Sequence, residues 1–101
     1  MMRDEEIRKG NRIIHELKPQ MQLELIASPT AIRANTSDVT TITWRSVNAD
    51  RCILEGPMGY RMDSTSGSVT GTSERPTRLH FQFTCWQGDR MDYETVDVDA
   101  R

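Results

Sequence analysis

Three sets of side chains in this 101-residue chain are of types that do chemistry: two cysteines, two histidines and a run of carboxylates near the C-terminus. Cys52 and Cys85 are more than thirty residues apart, and no closely spaced Cys/His set of the kind zinc takes accompanies them. Each sits in a segment where apolar and polar residues alternate, so the pair reads as one disulfide tying two strands. His15 and His80 are distant in sequence, with no Ser or Cys motif around either. No nucleophile–base pattern of the kind acyl transfer needs is visible. Asp89, Asp92, Glu94, Asp97 and Asp99 lack the calcium-loop pattern, and calcium takes about six or more convergent oxygens. They read instead as a charged edge strand that resists strand-to-strand aggregation. The residues predict no catalytic centre, no metal site and no cofactor. Asn35-Thr36-Ser37 matches a glycosylation acceptor, a tripeptide common by chance.

The elements that must position the cysteines follow from period-2 alternation. Thr41-Ile42-Thr43-Trp44 and Phe81-Gln82-Phe83-Thr84-Cys85 are the clearest cases. Met21, Leu23 and Leu25 alternate with Gln22, Glu24 and Ile26, giving an earlier strand. Ala31 to Arg33 predicts a short edge segment, and Asn35 to Asp38 a turn. Cys52 and Leu54 share one face of a strand over 51–55, with Ile53 on the other. Tyr60 to Met62 predicts a short edge strand. Residues 64–72 form a weak strand with Val69 as its only apolar anchor. Over 77–87, Leu79, Phe81, Phe83 and Cys85 face inward, while His80, Gln82, Thr84 and Trp86 face outward. Gly88-Asp89 is a hairpin turn, and Val96 and Val98 point inward from the last strand. Turns every 8–12 residues between short strands predict a β-sandwich over 19–101.

Residues 1–18 differ. Ile7, Ile14 and Leu17, with Ile13 alongside, recur at spacings that fit an amphipathic helix. Acidic residues near its start and Lys18 near its end suit the helix dipole. Gly10-Asn11 interrupts the pattern and Pro19 ends it. This arm carries five basic and four acidic residues, a net +1 within a chain of net −2. Read as a docking arm, it offers Ile7, Ile13, Ile14 and Leu17 to a partner.

Hydrophobic content of 36% and a mean hydropathy of −0.64 describe one small, polar domain. A disulfide closing a loop of this length is worth about 3 kcal/mol in the chain-entropy model. The small net charge predicts neither nucleic acid nor membrane as partner. No segment approaches the ~20 apolar residues that span a bilayer, and residues 1–9 are not a secretory signal. A disulfide nonetheless asks for an oxidising compartment. A virus particle, made in the host cytoplasm and oxidised after lysis, reconciles the two. An extracellular domain whose signal has been removed does so as well; the Met1-Met2 start favours the particle.

Ala27-Ser28-Pro29-Thr30, Thr41-Ile42-Thr43-Trp44-Arg45-Ser46, Asn48-Ala49-Asp50-Arg51-Cys52 and Phe81-Gln82-Phe83-Thr84-Cys85 resemble a bacterial and phage immunoglobulin-like domain family. That family reads A-S-P-T, L-T-W-S-S, N-A-x-x-C and Y-x-L-T-C. The resemblance covers residues 20–100. It implies that Cys52 and Cys85 bridge neighbouring strands of one sheet, with Trp44 on the strand before. In antibody domains the bridge crosses between sheets and the Trp lies on a later strand. Trp86 stands where the family has a small residue. The resemblance implies a repeat or display module of cell surfaces and phage virions, with no common enzymatic activity.

Alternation places Ile53, Trp86 and Tyr93 on an outward face of three neighbouring strands. Trp and Tyr are enriched where interfaces are strongest. Two occupants suit such a patch: a partner protein, or the arm's own Ile7, Ile14 and Leu17. The expectation is a non-enzymatic phage virion protein that decorates the capsid. It would bind the major capsid protein or neighbouring copies and display an immunoglobulin-like sandwich. The alternative is a tail-associated or cell-surface adhesion module for a bacterial surface glycan or protein.

Overall fold

The structure, a computed structural model, describes residues 20–101. The arm expected over 1–18, with Ile7, Ile13, Ile14 and Leu17, lies outside the described residues. Those described form eight strands: β1 (Gln22–Ser28), β2 (Ala31–Ile32), β3 (Thr40–Val47), β4 (Arg51–Glu55), β5 (Arg61–Asp63), β6 (Ser66–Gly71), β7 (Thr77–Gln87) and β8 (Arg90–Ala100). They make two sheets, ordered β1-β3-β6 and β2-β8-β7-β4-β5, packed as a β-sandwich. All pairings are antiparallel except β2 with β8. The chain passes from the smaller sheet to the larger across the cis Ser28–Pro29 bond.

The alternation read from the sequence sets which side chains meet. Phe83, Ile42, Leu54 and Val98 are fully buried, with Trp44, Phe81, Leu79 and both cysteines packed around them. Each large apolar side chain removed from water contributes about 1.5–3 kcal/mol. Trp44 Nε1 donates to the Ser64 carbonyl at 3.3 Å, which satisfies the indole inside the core. Opposite Trp44 on β6 sits Gly67, where an added Cβ would lie 2.5 Å from the indole ring. The small residue is what lets β6 approach the ring. Gly67→Ala should therefore destabilise the domain by about 1–3 kcal/mol through overpacking. Urea denaturation checks this; an unchanged midpoint would contradict it.

Two turns set the ends of the strands near Cys52 and Cys85. The β7–β8 hairpin closes through Gly88-Asp89, with Gly88 at φ +59, as a two-residue loop with glycine first requires. Asp50 accepts a hydrogen bond from the Gly88 N–H at 2.8 Å, and Gln87 Nε2 donates to the Asn48 carbonyl at 2.9 Å. These bonds lock the β3–β4 turn to the hairpin.

Past β2, Arg33 folds onto Asp38. Its Nε and backbone N–H both donate to Asp38 Oδ2 at 3.0 Å, and Nη2 donates to Oδ1 at 3.2 Å. The side-chain bonds first, and the backbone bond second, hold the Asp38 carboxyl below its ordinary value. The unfolded carboxyl protonates at the higher pH. The stabilisation is thus complete above the unfolded value and is lost as pH falls through the folded one. Both side chains are solvent-accessible, so the contribution is small. An NMR titration of Asp38 should give a midpoint below that of the denatured chain; equal midpoints would contradict the pairing.

Candidate functional site

The disulfide is formed. Cys52 and Cys85 lie directly opposite one another on β4 and β7, neighbours in the larger sheet, with Cα atoms 4.0 Å apart. Both are almost wholly buried, and no free cysteine exists. The bridge pins the two central strands on their inner face. It thereby fixes the register of what those strands carry outward.

On the outer face, register creates two rows across β4, β7 and β8. One reads Ile53, Thr84, Tyr93; the next reads Arg51, Trp86, Met91. Ile53, Trp86 and Tyr93 therefore share the face expected from alternation. Their exposure corrects the sequence-based expectation. Ile53 faces outward but is only 7% exposed, because strands flank it on both sides and it sits between Asp63 and Thr84. Trp86 is half-buried, and the Arg51 guanidinium stacks over its ring at 4.2 Å from the centroid. That stack is a cation–π contact of about 0.5–1 kcal/mol at an exposed site. The apolar surface that meets solvent is carried by Tyr93, 53% exposed, and Met91, 58% exposed.

Met91 and Arg51 were missing from the sequence-derived set, although the signal was there. Each lies two residues from a chosen one, Tyr93 and Ile53, and period 2 puts it on the same face.

Further along the same face the rows become charged. His80 Nδ1 lies 2.6 Å from Asp97 Oδ1, and Arg78 and Arg101 both reach Asp99. Two of the five C-terminal carboxylates thus have side-chain partners across the sheet or at the chain's end, Asp97 an imidazole and Asp99 two guanidinium groups. Among the described residues, no group of three or more His, Cys, Asp or Glu side chains is placed to hold a metal ion. Among the same residues, no helix is long and apolar enough to cross a membrane.

A groove of about 1010 Å³ opens between the sheets beside β6. Ile42, Leu79 and Phe81 line it, with Val69 on one wall and Tyr60 on the other. Its cause is arithmetic: a three-stranded sheet cannot cover a five-stranded one. The 3-10 turn Pro57–Gly59 stands at its rim, with Met58 exposed at φ +58.

The fold and this face define an all-β sandwich with a disulfide and an aromatic, arginine-bearing outer surface. Comparison with family models, with curated proteins and with solved structures finds no match.

Proposed function

We propose that this chain is an immunoglobulin-like binding module that works as a phage virion protein, decorating the capsid and binding the major capsid protein or neighbouring copies of itself. The strand order supports the immunoglobulin-like part. β1, β3 and β6 correspond to the A, B and E strands of such a sandwich, and β4, β7 and β8 to C, F and G. The observation that carries the binding role is the outer face of β4, β7 and β8. Arg, Trp and Tyr dominate interface energetics, and here Arg51, Trp86 and Tyr93 stand together on strands fixed by the Cys52–Cys85 bridge. Rigid placement lowers the ordering cost of association. Decoration of this kind stabilises a shell by mass action, since the added protein binds the assembled form. No catalytic role is assigned to any residue.

The alternative, an adhesion module for a bacterial surface glycan, draws on the exposed Tyr93 ring as a stacking platform. The Arg51 guanidinium over Trp86 favours the protein-binding reading, because that ring face is already occupied.

Co-sedimentation of the purified protein with shells prepared without it tests the proposal. Saturable binding at a fixed ratio to capsid subunits is expected. Absence of binding to shells, with binding to bacterial surface glycan, would overturn it in favour of adhesion.

A further inference from the structure

We infer that the free edge of β6 takes one more strand, an extended segment of a partner protein with apolar side chains at alternate positions, and that those side chains fill the groove between the sheets. The backbone supplies the first observation. β6 is the last strand of its sheet and pairs with β3 alone. At its start, Ser64 Oγ accepts from the Ser66 N–H at 3.3 Å and donates to the Ser66 carbonyl. The Ser66 backbone groups are thus turned away from β3. Backbone groups alternate sides along an antiparallel strand, so those of Ser68 and Thr70 turn outward too. Among the described residues no strand lies beyond them. Sheet edges are normally blunted by charge, proline or brevity, yet Ser66–Gly71 has neither charge nor proline. By contrast, β5 is three residues long and carries Arg61 and Asp63, β2 is two residues long, and β1 carries Glu24 and lies beside β8.

The second observation is the space beside that edge. The inner face of β6 consists of Gly67, Val69 and Gly71, opposite Trp44, Ile42 and Thr40. The Trp44 ring occupies the space at Gly67, whereas a Cβ on Gly71 would meet no atom within 4 Å. β6 therefore fills little of the groove of about 1010 Å³ that Ile42, Val69, Leu79, Phe81 and Tyr60 line. A strand added beside β6 lies about 4.8 Å from it, and every second side chain points toward the larger sheet. Main-chain hydrogen bonds to Ser68 and Thr70 would hold such a strand, and the apolar walls would select its alternate side chains.

The third observation selects a lone strand over a second sandwich. Met62 faces inward on β5, opposite the fully buried Leu54, yet is 42% exposed. The larger sheet thus extends past β6 and leaves Met62 uncovered. A two-fold axis that pairs β6 antiparallel with its own copy stands perpendicular to the sheets. It brings the overhanging β5 strands together before the β6 edges can meet. A single strand fits beneath the overhang.

This edge is separate from the Trp86 face, and the inference holds whether or not that face binds shells. The probe is the capped peptide acetyl-Lys-Leu-Thr-Val-Thr-Leu-Lys-amide, whose apolar residues share one side of a strand. Its control has the same composition with the apolar residues adjacent. At millimolar concentration the probe should shift the Ser68 and Thr70 amide signals of the full chain and slow their hydrogen exchange about tenfold. The control should do neither. Ser68→Pro removes one outward N–H and spares the β3 ladder, a place where a strand tolerates proline. Gly71→Leu puts a side chain into the open groove. Each variant, verified as folded by circular dichroism, should weaken probe binding about tenfold, the equivalent of one hydrogen bond. Undiminished affinity in either folded variant would overturn the inference. So would equal binding of the control, the absence of any shift, or shifts confined to Trp86, Met91 and Tyr93. Slowed exchange at Ser68 and Thr70 that grows with protein concentration in the absence of peptide would overturn it in favour of a second copy of this chain.

Discussion

Replacing Cys52 and Cys85 together by alanine should cost the domain about 3–5 kcal/mol. The bridge closes a sequence separation of 33 residues, which restricts the unfolded chain, and both sulfurs sit in the core, which adds a packing loss. A domain of this size has only about 5–15 kcal/mol in total. At about 4–8 °C per kcal/mol, the melting temperature should fall by roughly 15 °C or more. Reduction should act in the same direction. It should also be slow under native conditions, because a reductant reaches a buried bridge only through opening of β4 and β7. Thermal denaturation with and without reductant checks both statements. A melting temperature that moves by no more than the scatter between repeats would show that the bridge does not hold this sandwich together.

Trp86→Ser should weaken partner binding by about 30-fold or more, the equivalent of ~2 kcal/mol at an interface hot spot. The ring is half-buried and flanked by Arg51 and Met91 in its row. Its loss removes both the aromatic anchor and the surface on which the Arg51 guanidinium is laid out. Stability should change far less than on loss of the bridge, since the side chain lies on the outer face and the inner core of Phe83, Leu54 and Val98 is untouched. Titration against the shell, with circular dichroism to verify folding, separates the two effects. Undiminished affinity in a folded Trp86→Ser chain would remove this face from the interface.

Much of the sandwich was legible because alternation is a local property. Leu79, Phe81, Phe83 and Cys85 opposed to His80, Gln82, Thr84 and Trp86 could be read off one segment, and the structure places them so. Gly88-Asp89 announced its hairpin by residue type. What escaped the sequence depends on neighbours distant in the chain. Ile53 was assigned the right face but the wrong exposure, because its burial comes from having β5 and β7 on either side. The parallel pairing of Ala31-Ile32 with Asp99-Ala100 rests on two residues with no pattern of their own. The groove beside β6 reflects the unequal number of strands in the two sheets, which no single segment encodes. The Arg51–Trp86 stack needed the register of β4 against β7, and the cysteine pair sets that register at Cys52 and Cys85.

The most direct test of the central claim is the protein composition of the intact native assembly, measured by quantitative mass spectrometry of purified particles. A copy number comparable with that of the major capsid protein is the expected result, and it would make this chain a decoration protein. A few copies per particle, or none, would contradict that role.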